Sequence, residues 1–397
     1  MPDKSILTRT IWILALVSLF TDMASEMLYP VMPIYLKSIG FSVVLIGVLE
    51  GLAEATAGLS KGYFGQWSDR SGRRLPFVQL GYGLSALSKP LLAAFVYPWW
   101  VFFARTLDRL GKGIRTGARD ALLSGETTPA SKGRVFGFHR GMDTLGAVLG
   151  PGLALWYLQV HPEAYKALFL LAFVPGVLAI GCTLFILERT SAPAPGKPRP
   201  GFLDFLHYWK TAVPAYRRLV GALLAFALFN SSDVFLLLRA KSAGLGDSAV
   251  IGVYIFYNLV YAAASYPLGG LADRIGMKPV LTGGLLVFAA VYAGMAYTTD
   301  PVAIAGLFFL YGIYAAATEG VAKAWISNLC AREHTATAIG AYTGFQSVAA
   351  LLASSLAGAI WYGLGPAATF LLSAAAATGV AAYLWRYIPA QRRADQA

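Results

Sequence analysis

The sequence predicts an all-α polytopic membrane protein with twelve transmembrane helices in two pseudo-symmetric six-helix bundles. Three observations predict this fold class. The 397 residues are 57% hydrophobic and 13% charged, whereas soluble domains carry about 25% charged residues. Twelve apolar runs are each long enough to cross a bilayer, which takes roughly 20 residues. Finally, the second half of the chain repeats features of the first half.

The apolar runs follow one another along the whole chain, separated by polar or basic breaks. The predicted spans are 11–36, 43–66, 75–97, 98–118, 135–159, 164–188, 217–239, 249–271, 279–298, 301–325, 338–362 and 366–388. The first run contains Asp22 and Glu26 and lacks a small-residue cleavage site, so we expect a retained helix and not a signal peptide.

One long polar break divides these spans six and six. It reads ERTSAPAPGKPRPGFLDF at residues 188–205 and is rich in proline. We therefore expect an N-terminal six-helix bundle over 1–188, a cytoplasmic linker over 189–216 and a C-terminal six-helix bundle over 217–397.

A charged turn occurs once in each half. GQWSDRSGRR at 65–74 returns as GGLADRIGMK at 269–278, 204 residues later. At nearly the same offset, GFHRGMDTLG at 137–146 aligns with GAYTGFQSVA at 340–349. Several matches at one offset indicate duplication of a six-helix half, which is how many transporters are built.

The net charge of +12 reflects membrane topology. Most Lys and Arg residues fall at the termini and in the even-numbered loops, where Arg115 and Arg119 are counted, and cytoplasmic loops retain such residues. Both termini and both charged turns are therefore expected in the cytoplasm, with the protein in a bacterial cytoplasmic membrane. This distribution argues against nucleic-acid binding. Neither Cys182 nor Cys330 suggests a disulfide or a metal site.

The complete first turn resembles a signature of the major facilitator superfamily, between the second and third helices. The six-plus-six division, the central linker and the weaker second copy also fit, so the resemblance covers essentially the whole chain. In the fifth span, Gly146, Gly150 and Pro151 resemble the glycine-proline motif of the superfamily's proton-coupled antiporters, although the trailing glycine pair of that motif is missing.

The resemblance implies that the turns form a latch between the two halves on the cytoplasmic side. Glycine permits close helix approach and a tight turn, and a carboxylate accepts bonds from the amino end of a helix. We expect Asp69 to contact the start of span eleven near Gly340, and the arginines to contact Asp108 or Asp120. The expected latch residues are Gly65, Asp69, Arg70, Gly72, Arg73, Arg74, Asp108, Asp120, Asp273 and Arg274.

Charges inside the spans are the candidate coupling or substrate residues, because a charge at mid-membrane costs on the order of 3 kcal/mol. They are Asp22, Glu26, Glu50, Glu54, Lys89, Arg105, Arg140, Asp143, Asp233, Glu319 and Lys323. Asp22 and Glu26 share a helix face and repel unless a cation or proton intervenes, which favours a proton-carrying role. Arg140 with Asp143 can equally be interpreted as a structural ion pair, and for Glu319 with Lys323 the structural interpretation is favoured.

The second half is richer in polar and aromatic residues at the matching positions. Candidates for lining a central cavity are Tyr254, Tyr257, Asn258, Tyr261, Tyr311, Tyr314, Tyr342 and Gln346. This asymmetry suits a division between proton coupling in one half and substrate contact in the other, although tyrosines at helical spacing also occur as packing.

These features predict a secondary active transporter that works by alternating access. We expect proton-coupled efflux of a small organic molecule, from a monomer that uses the proton gradient and no cofactor. Proton-coupled uptake of an anion or a metal chelate, transport of a metal ion, and a non-transporting receptor or scaffold are the alternatives. The sequence has no HExxH, paired CxxC or GxSxG motif, so no enzyme is expected.

Overall fold

The computed structural model describes residues 6–188 and 200–388, and within them all regular elements are helices. The first half contains α1 (Arg9–Glu26), α2 (Met32–Ser38), α3 (Val43–Ser71), α4 (Leu75–Ala94), α5 (Pro98–Gly125), α6 (Lys132–Val160) and α7 (Tyr165–Thr183). The second half contains α8 (Tyr208–Thr211), α9 (Pro214–Ala227), α10 (Val234–Ser242), α11 (Asp247–Ile275), α12 (Met277–Tyr297), α13 (Pro301–Leu329), α14 (Thr335–Leu364) and α15 (Pro366–Tyr387).

The first span of each half is broken, which corrects the two continuous spans expected from hydropathy. Residues 27–31 separate α1 from α2, and residues 228–233 separate α9 from α10. Pro33 stands in the first turn of α2, where its missing N–H costs nothing. Before α10, the Ser232 hydroxyl accepts a bond from Val234 N at 3.4 Å, a local bond that competes with the helical ladder.

The charged end of one predicted span is also helical, and so is part of the predicted linker. The α5 helix continues to Gly125, and Arg115 and Arg119 are buried in it, which corrects their assignment to a loop. The linker 189–216 also contains helix, because α8 and the start of α9 fall within it, while residues 189–199 lie outside the described residues.

The chain forms two compact units, and each takes helices from both halves of the sequence. One unit comprises the described residues up to Glu126 together with Met142–Thr211 and Cys330–Ser347. The other comprises Thr127–Gly141, Ala212–Leu329 and the described residues from Val348. Among the described residues, six helical segments are apolar enough to cross a membrane by length and composition alone, and five of them lie in the second half.

Candidate functional site

Asp22 on α1 lies within hydrogen-bonding reach of Asp143 on α6. The Ser18 hydroxyl donates to Asp143 Oδ1 at 2.7 Å, and Arg119 Nη1 lies 3.3 Å from the same hydroxyl oxygen. A hydrogen bond between two carboxyl groups needs a proton on one of them. Glu26 also interacts electrostatically with Asp22, as the helical spacing suggested. The spacing did not reveal that Asp143 would be the hydrogen-bonding neighbour.

Lys89 and Asp108 form a buried ion pair between α4 and α5. The Lys89 Nζ atom is 2.7 Å from Asp108 Oδ1, and both residues are less than one-tenth exposed. Lys89 also lies 3.4 Å from the Ser25 hydroxyl on α1. The pair therefore joins three helices by charge-assisted bonds in a place where unpaired charges would be costly.

Glu54 on α3 stands among four cationic side chains. Arg109 Nε is 3.7 Å from its carboxylate. Its other electrostatic neighbours are Lys112, Lys61 and Arg105. Lys61 additionally donates to the Ser347 hydroxyl of α14 at 2.7 Å. The side chain of Glu50, the other carboxylate expected on this helix, lies outside the described residues.

Arg140 on α6 contacts Tyr261 on α11. Its Nε donates to the tyrosine hydroxyl, and its guanidinium carbon lies 5.4 Å from the ring centroid.

Glu319 and Lys323 are both half-buried on α13. On α14, Tyr342 is buried and Gln346 is half-buried.

Asp233 lies in the break before α10, next to a group of tyrosines. Tyr257 and Tyr311 donate their hydroxyl protons to its two carboxylate oxygens, the Tyr311 bond being 2.6 Å. Their rings lie 5.3 Å apart, and Tyr254 and Tyr314 pack on them at 5.4 Å and 5.3 Å respectively. Most of the tyrosines expected in the second half therefore form one cluster around a carboxylate; Asn258, also expected there, donates to the Tyr254 carbonyl.

The first charged turn caps the amino end of α14. Asp69 Oδ2 accepts from Thr337 N at 2.7 Å and from the Thr337 hydroxyl at 2.8 Å, and Oδ1 accepts from Ala336 N at 3.3 Å. A Cβ atom at Gly65 would lie 2.4 Å from the Ala336 carbonyl oxygen, so only glycine allows this approach. Gly72 ends α3 with a φ of 65°, a left-handed conformation that favours glycine.

The arginines of the turn bind other groups than we expected. Arg74 donates to Asp69 at 3.1 Å and to the Arg332 carbonyl at 2.8 Å, whereas Arg70 lies 3.6 Å from Asp204. The carboxylates expected as partners are engaged elsewhere: Asp108 pairs with Lys89, and Asp120 pairs with Arg119 at 2.8 Å. Arg73 is exposed.

The second charged turn caps α6 in the same way. Asp273 Oδ1 accepts from Gly133 N at 2.7 Å, and Oδ2 accepts from Arg134 N at 2.9 Å. Arg274 is exposed in the last turn of α11. Both turns therefore place an aspartate on the amino end of a helix from the other half of the sequence, where the helix dipole favours negative charge.

The glycines of the fifth-span motif permit close contact between α6 and α1. A Cβ atom at Gly146 would lie 2.3 Å from the Leu19 carbonyl oxygen, and one at Gly150 would lie 2.6 Å from the Met23 carbonyl oxygen. Pro151 follows within the helix, and a Cβ atom at Gly152 would meet open space. The motif thus brings the backbone of α6 against the part of α1 that carries Asp22.

A segment after the linker covers the capped start of α14, and sequence reasoning did not identify it. Phe205 is 3% exposed, fits against the backbone of Gly62 on α3, and lies 6.2 Å from Phe345 on α14. Tyr208 packs on His334 at 5.9 Å, and burial raises the pKa of its hydroxyl. The segment borders a cavity of about 880 Å³ that Asp69 also lines. Two aromatic residues after a proline-rich stretch were the available signal.

Comparisons with known proteins identify the family of the chain. Residues 14–259 and 218–397 match the family model described as Major Facilitator Superfamily. The uncharacterised MFS-type transporter MJ1317 of Methanocaldococcus jannaschii is 34% identical over 371 residues, 92% of this chain and 91% of that protein. Multidrug resistance protein 2 of Bacillus subtilis is 23% identical over 296 residues, 71% of this chain and 73% of that protein.

The fold also agrees with that of solved transporters. The crystal structure of the human organic anion transporter MFSD10 (TETRAN) matches with a TM-score of 0.77 at 16% identity, covering 95% of this chain and 99% of that one. The all-α, multi-pass membrane fold predicted from the sequence is confirmed, and the chain belongs to the major facilitator superfamily of membrane transporters.

Proposed function

We propose that this transporter exports a small organic molecule in exchange for protons, by alternating access. The observation that carries the proposal is the contact of Asp22 with Asp143, next to the Ser18–Arg119 bond. The protein would work as a monomer in a bacterial cytoplasmic membrane with both termini in the cytoplasm.

The paired carboxyls supply a site that holds a proton in one state and releases it in another. When both groups are ionised they repel across α1 and α6, and a single proton converts the repulsion into a hydrogen bond. Arg119 lies one hydroxyl away and favours loss of that proton when it moves closer. A change in the distance between α1 and α6 would therefore couple proton release to a change of conformation.

Export is favoured by the fifth-span motif and by one relative. The motif resembles that of proton-coupled antiporters, and its glycines form the α1–α6 contact that holds the carboxyl pair. The Bacillus subtilis relative is named a multidrug resistance protein.

Purified protein in liposomes containing a pH dye tests the proposal. Cationic drugs, organic acids and metal chelates would be added in turn. We expect proton movement opposite to one compound class in wild type, its loss in Asp22→Asn and Asp143→Asn, and its retention in Asp300→Asn. Asp300 is an exposed residue that caps Ala303 and controls for the change in net charge. Unaltered exchange in the first two variants would refute the role of the pair.

Uptake of an anion together with protons is the second candidate. It is favoured by the four cationic side chains around Glu54, which outnumber that carboxylate and Asp108, the second carboxylate with which Arg105 and Arg109 interact. In the same liposomes, an organic acid that moves in the same direction as protons would select this candidate over export.

A further inference from the structure

We propose that Asp233 and the tyrosines around it form a binding subsite for an organic cation, specifically a protonated amine attached to an aromatic body. The subsite deepens the proposed function by naming the class of the exported molecule. Only the claim that the bound molecule is also the transported one rests on that function.

The subsite carries the negative charge of a carboxylate. Asp233 is half-buried in the break between α9 and α10, and both of its oxygens accept a tyrosine hydroxyl. In the part of the chain that the structure describes, these two tyrosines are its hydrogen-bond partners, and no Lys, Arg or His side chain forms an ion pair with it. Each carboxylate oxygen has a second lone pair, so a ligand ammonium group can bind without displacing the tyrosines.

The same break contains a hydrogen-bond acceptor, the side-chain oxygen of Asn230, that a ligand could use. The Asn230 side chain donates from Nδ2 to the Tyr314 hydroxyl at 3.1 Å, and its buried Oδ1 atom has no hydrogen-bond partner among the residues that the structure describes. A buried acceptor without a partner is costly, and most such atoms are satisfied in folded proteins. Two of the three N–H groups of a protonated amine would serve Oδ1 and the Asp233 carboxylate, because Asn230 and Asp233 lie in the same break and bind the neighbouring tyrosines Tyr314 and Tyr311.

Tyrosine rings give the subsite an aromatic surface. Tyr254 is half-buried on the same helix as Tyr257, with the two rings edge to face at 5.4 Å. Tyr311 and Tyr314 continue the cluster, each 4% exposed. Ring faces attract cations and also pack against an aromatic ligand. A carboxylate, an unsatisfied carbonyl and tyrosine rings together match an aromatic amine better than an anion or a neutral sugar.

Three related probes distinguish the parts of the subsite. They are 1-naphthylmethylamine, which is protonated at pH 7, its N-trimethylammonium analogue, which cannot donate a hydrogen bond, and neutral 1-naphthylmethanol. Binding to the full chain purified in detergent would be measured by isothermal titration calorimetry. We expect the amine to bind most tightly, the trimethylammonium compound more weakly, and the alcohol at least tenfold more weakly than the amine.

Four variants complete the test. Asp233→Asn should weaken amine binding at least tenfold and leave alcohol binding unchanged, whereas Asp300→Asn, with the same change in net charge, should bind all three probes as wild type does. Tyr254→Leu should weaken the trimethylammonium probe, and Asn230→Ala should reduce the preference for the amine over it. Equal binding of the amine by wild type and by folded Asp233→Asn would overturn the proposal, as would a wild type that does not prefer the amine to the alcohol.

Liposome measurements separate this inference from the proposed exchange. If the amine binds through Asp233 but moves no protons, the subsite stands and the proton exchange is wrong. If another compound class moves protons equally in wild type and Asp233→Asn, and the amine does not bind, the exchange stands and the subsite is wrong.

Discussion

The contact between Lys89 and Asp108 shows how single residues carry charge inside this bundle. The two groups meet at 2.7 Å in a site that excludes most water. Arg105 and Arg109 lie near enough to interact with the same carboxylate. Removal of Lys89 deprives the buried carboxylate of its partner at 2.7 Å and leaves it with the weaker arginine interactions, whereas removal of both partners leaves no buried carboxylate to compensate.

We therefore expect Lys89→Met to destabilise the protein by about 3 kcal/mol. The double variant Lys89→Met with Asp108→Leu should recover part of that loss. Thermal unfolding in detergent would measure both. The matched comparison is Asp204→Asn, which breaks the exposed pair with Arg70 and should cost less than about 1 kcal/mol. Equal melting temperatures for Lys89→Met and Asp204→Asn would contradict the importance of burial.

For single residues, the sequence identified the important charged side chains better than it identified the residues that they contact. Asp22, Asp143, Lys89 and Asp233 stood out because charges are rare in apolar runs. Their contacts join residues as far as 125 positions apart, such as Ser18 and Asp143, and helical periodicity reports only neighbours on the same helix. The Tyr257 and Tyr311 bonds to Asp233 required the fold for the same reason.

Among the elements, α6 depends on glycine where it meets α1. Gly146→Ala should destabilise the protein by roughly 1–3 kcal/mol, because the added methyl group would meet a backbone oxygen that cannot rotate away. Gly152→Ala adds the same atom to the same helix in open space and should be tolerated. Unfolding temperature and proton exchange in liposomes would be compared. A stable, active Gly146→Ala variant would show that the contact between the helices is looser.

The segment around Phe205 is a second element with a testable role. Phe205→Ala should lose a buried ring that contacts both α3 and α14, which costs about 3 kcal/mol for a core phenylalanine. We expect limited proteolysis to cut residues 200–211 faster in this variant. Phe202→Ala removes a 51% exposed ring from the same segment and serves as the control. Equal cleavage rates for the two variants would show that Phe205 does not hold the segment.

The helix boundaries show which features of the fold hydropathy detects and which it misses. Among the described residues, every helix of 18 residues or more overlaps a predicted span, because the runs chosen by hydropathy are as long as such helices. The breaks before α2 and α10 were missed, since long apolar segments on both sides of them dominate a window average, which therefore does not detect one proline or the short polar run at 230–233. The extra turns of α5 were missed because Arg115 and Arg119 were interpreted as loop charges, whereas burial and partners accommodate them in a helix.

On the scale of the whole molecule, the duplicated turn performs the same task twice. Asp69 caps α14 and Asp273 caps α6. A repeat of local sequence predicted a repeat of local structure. The sequence did not predict that each compact unit takes helices from both halves, because that depends on which helix ends meet in three dimensions.

The cap at Asp69 gives a prediction about conformational balance. Asp69→Asn should weaken the cap by about 1 kcal/mol, roughly a fivefold shift toward the state in which this contact is open. A cysteine at Gln66, beside the cavity, should then react faster with a soluble maleimide, in a background with Cys182 and Cys330 replaced by serine. Glu163→Gln, an exposed substitution in the first half, controls for charge. An unchanged labelling rate would contradict the role of the cap.

Because the two halves exchange helix caps, we expect them to recognise each other without a peptide bond between them. Asp69 and Asp273 each hold backbone N–H groups that the other half supplies, so two separately translated fragments, divided near residue 195, carry complementary binding determinants for one another. We therefore expect the two fragments to restore transport when they are produced together in cells, and each fragment to be inactive alone.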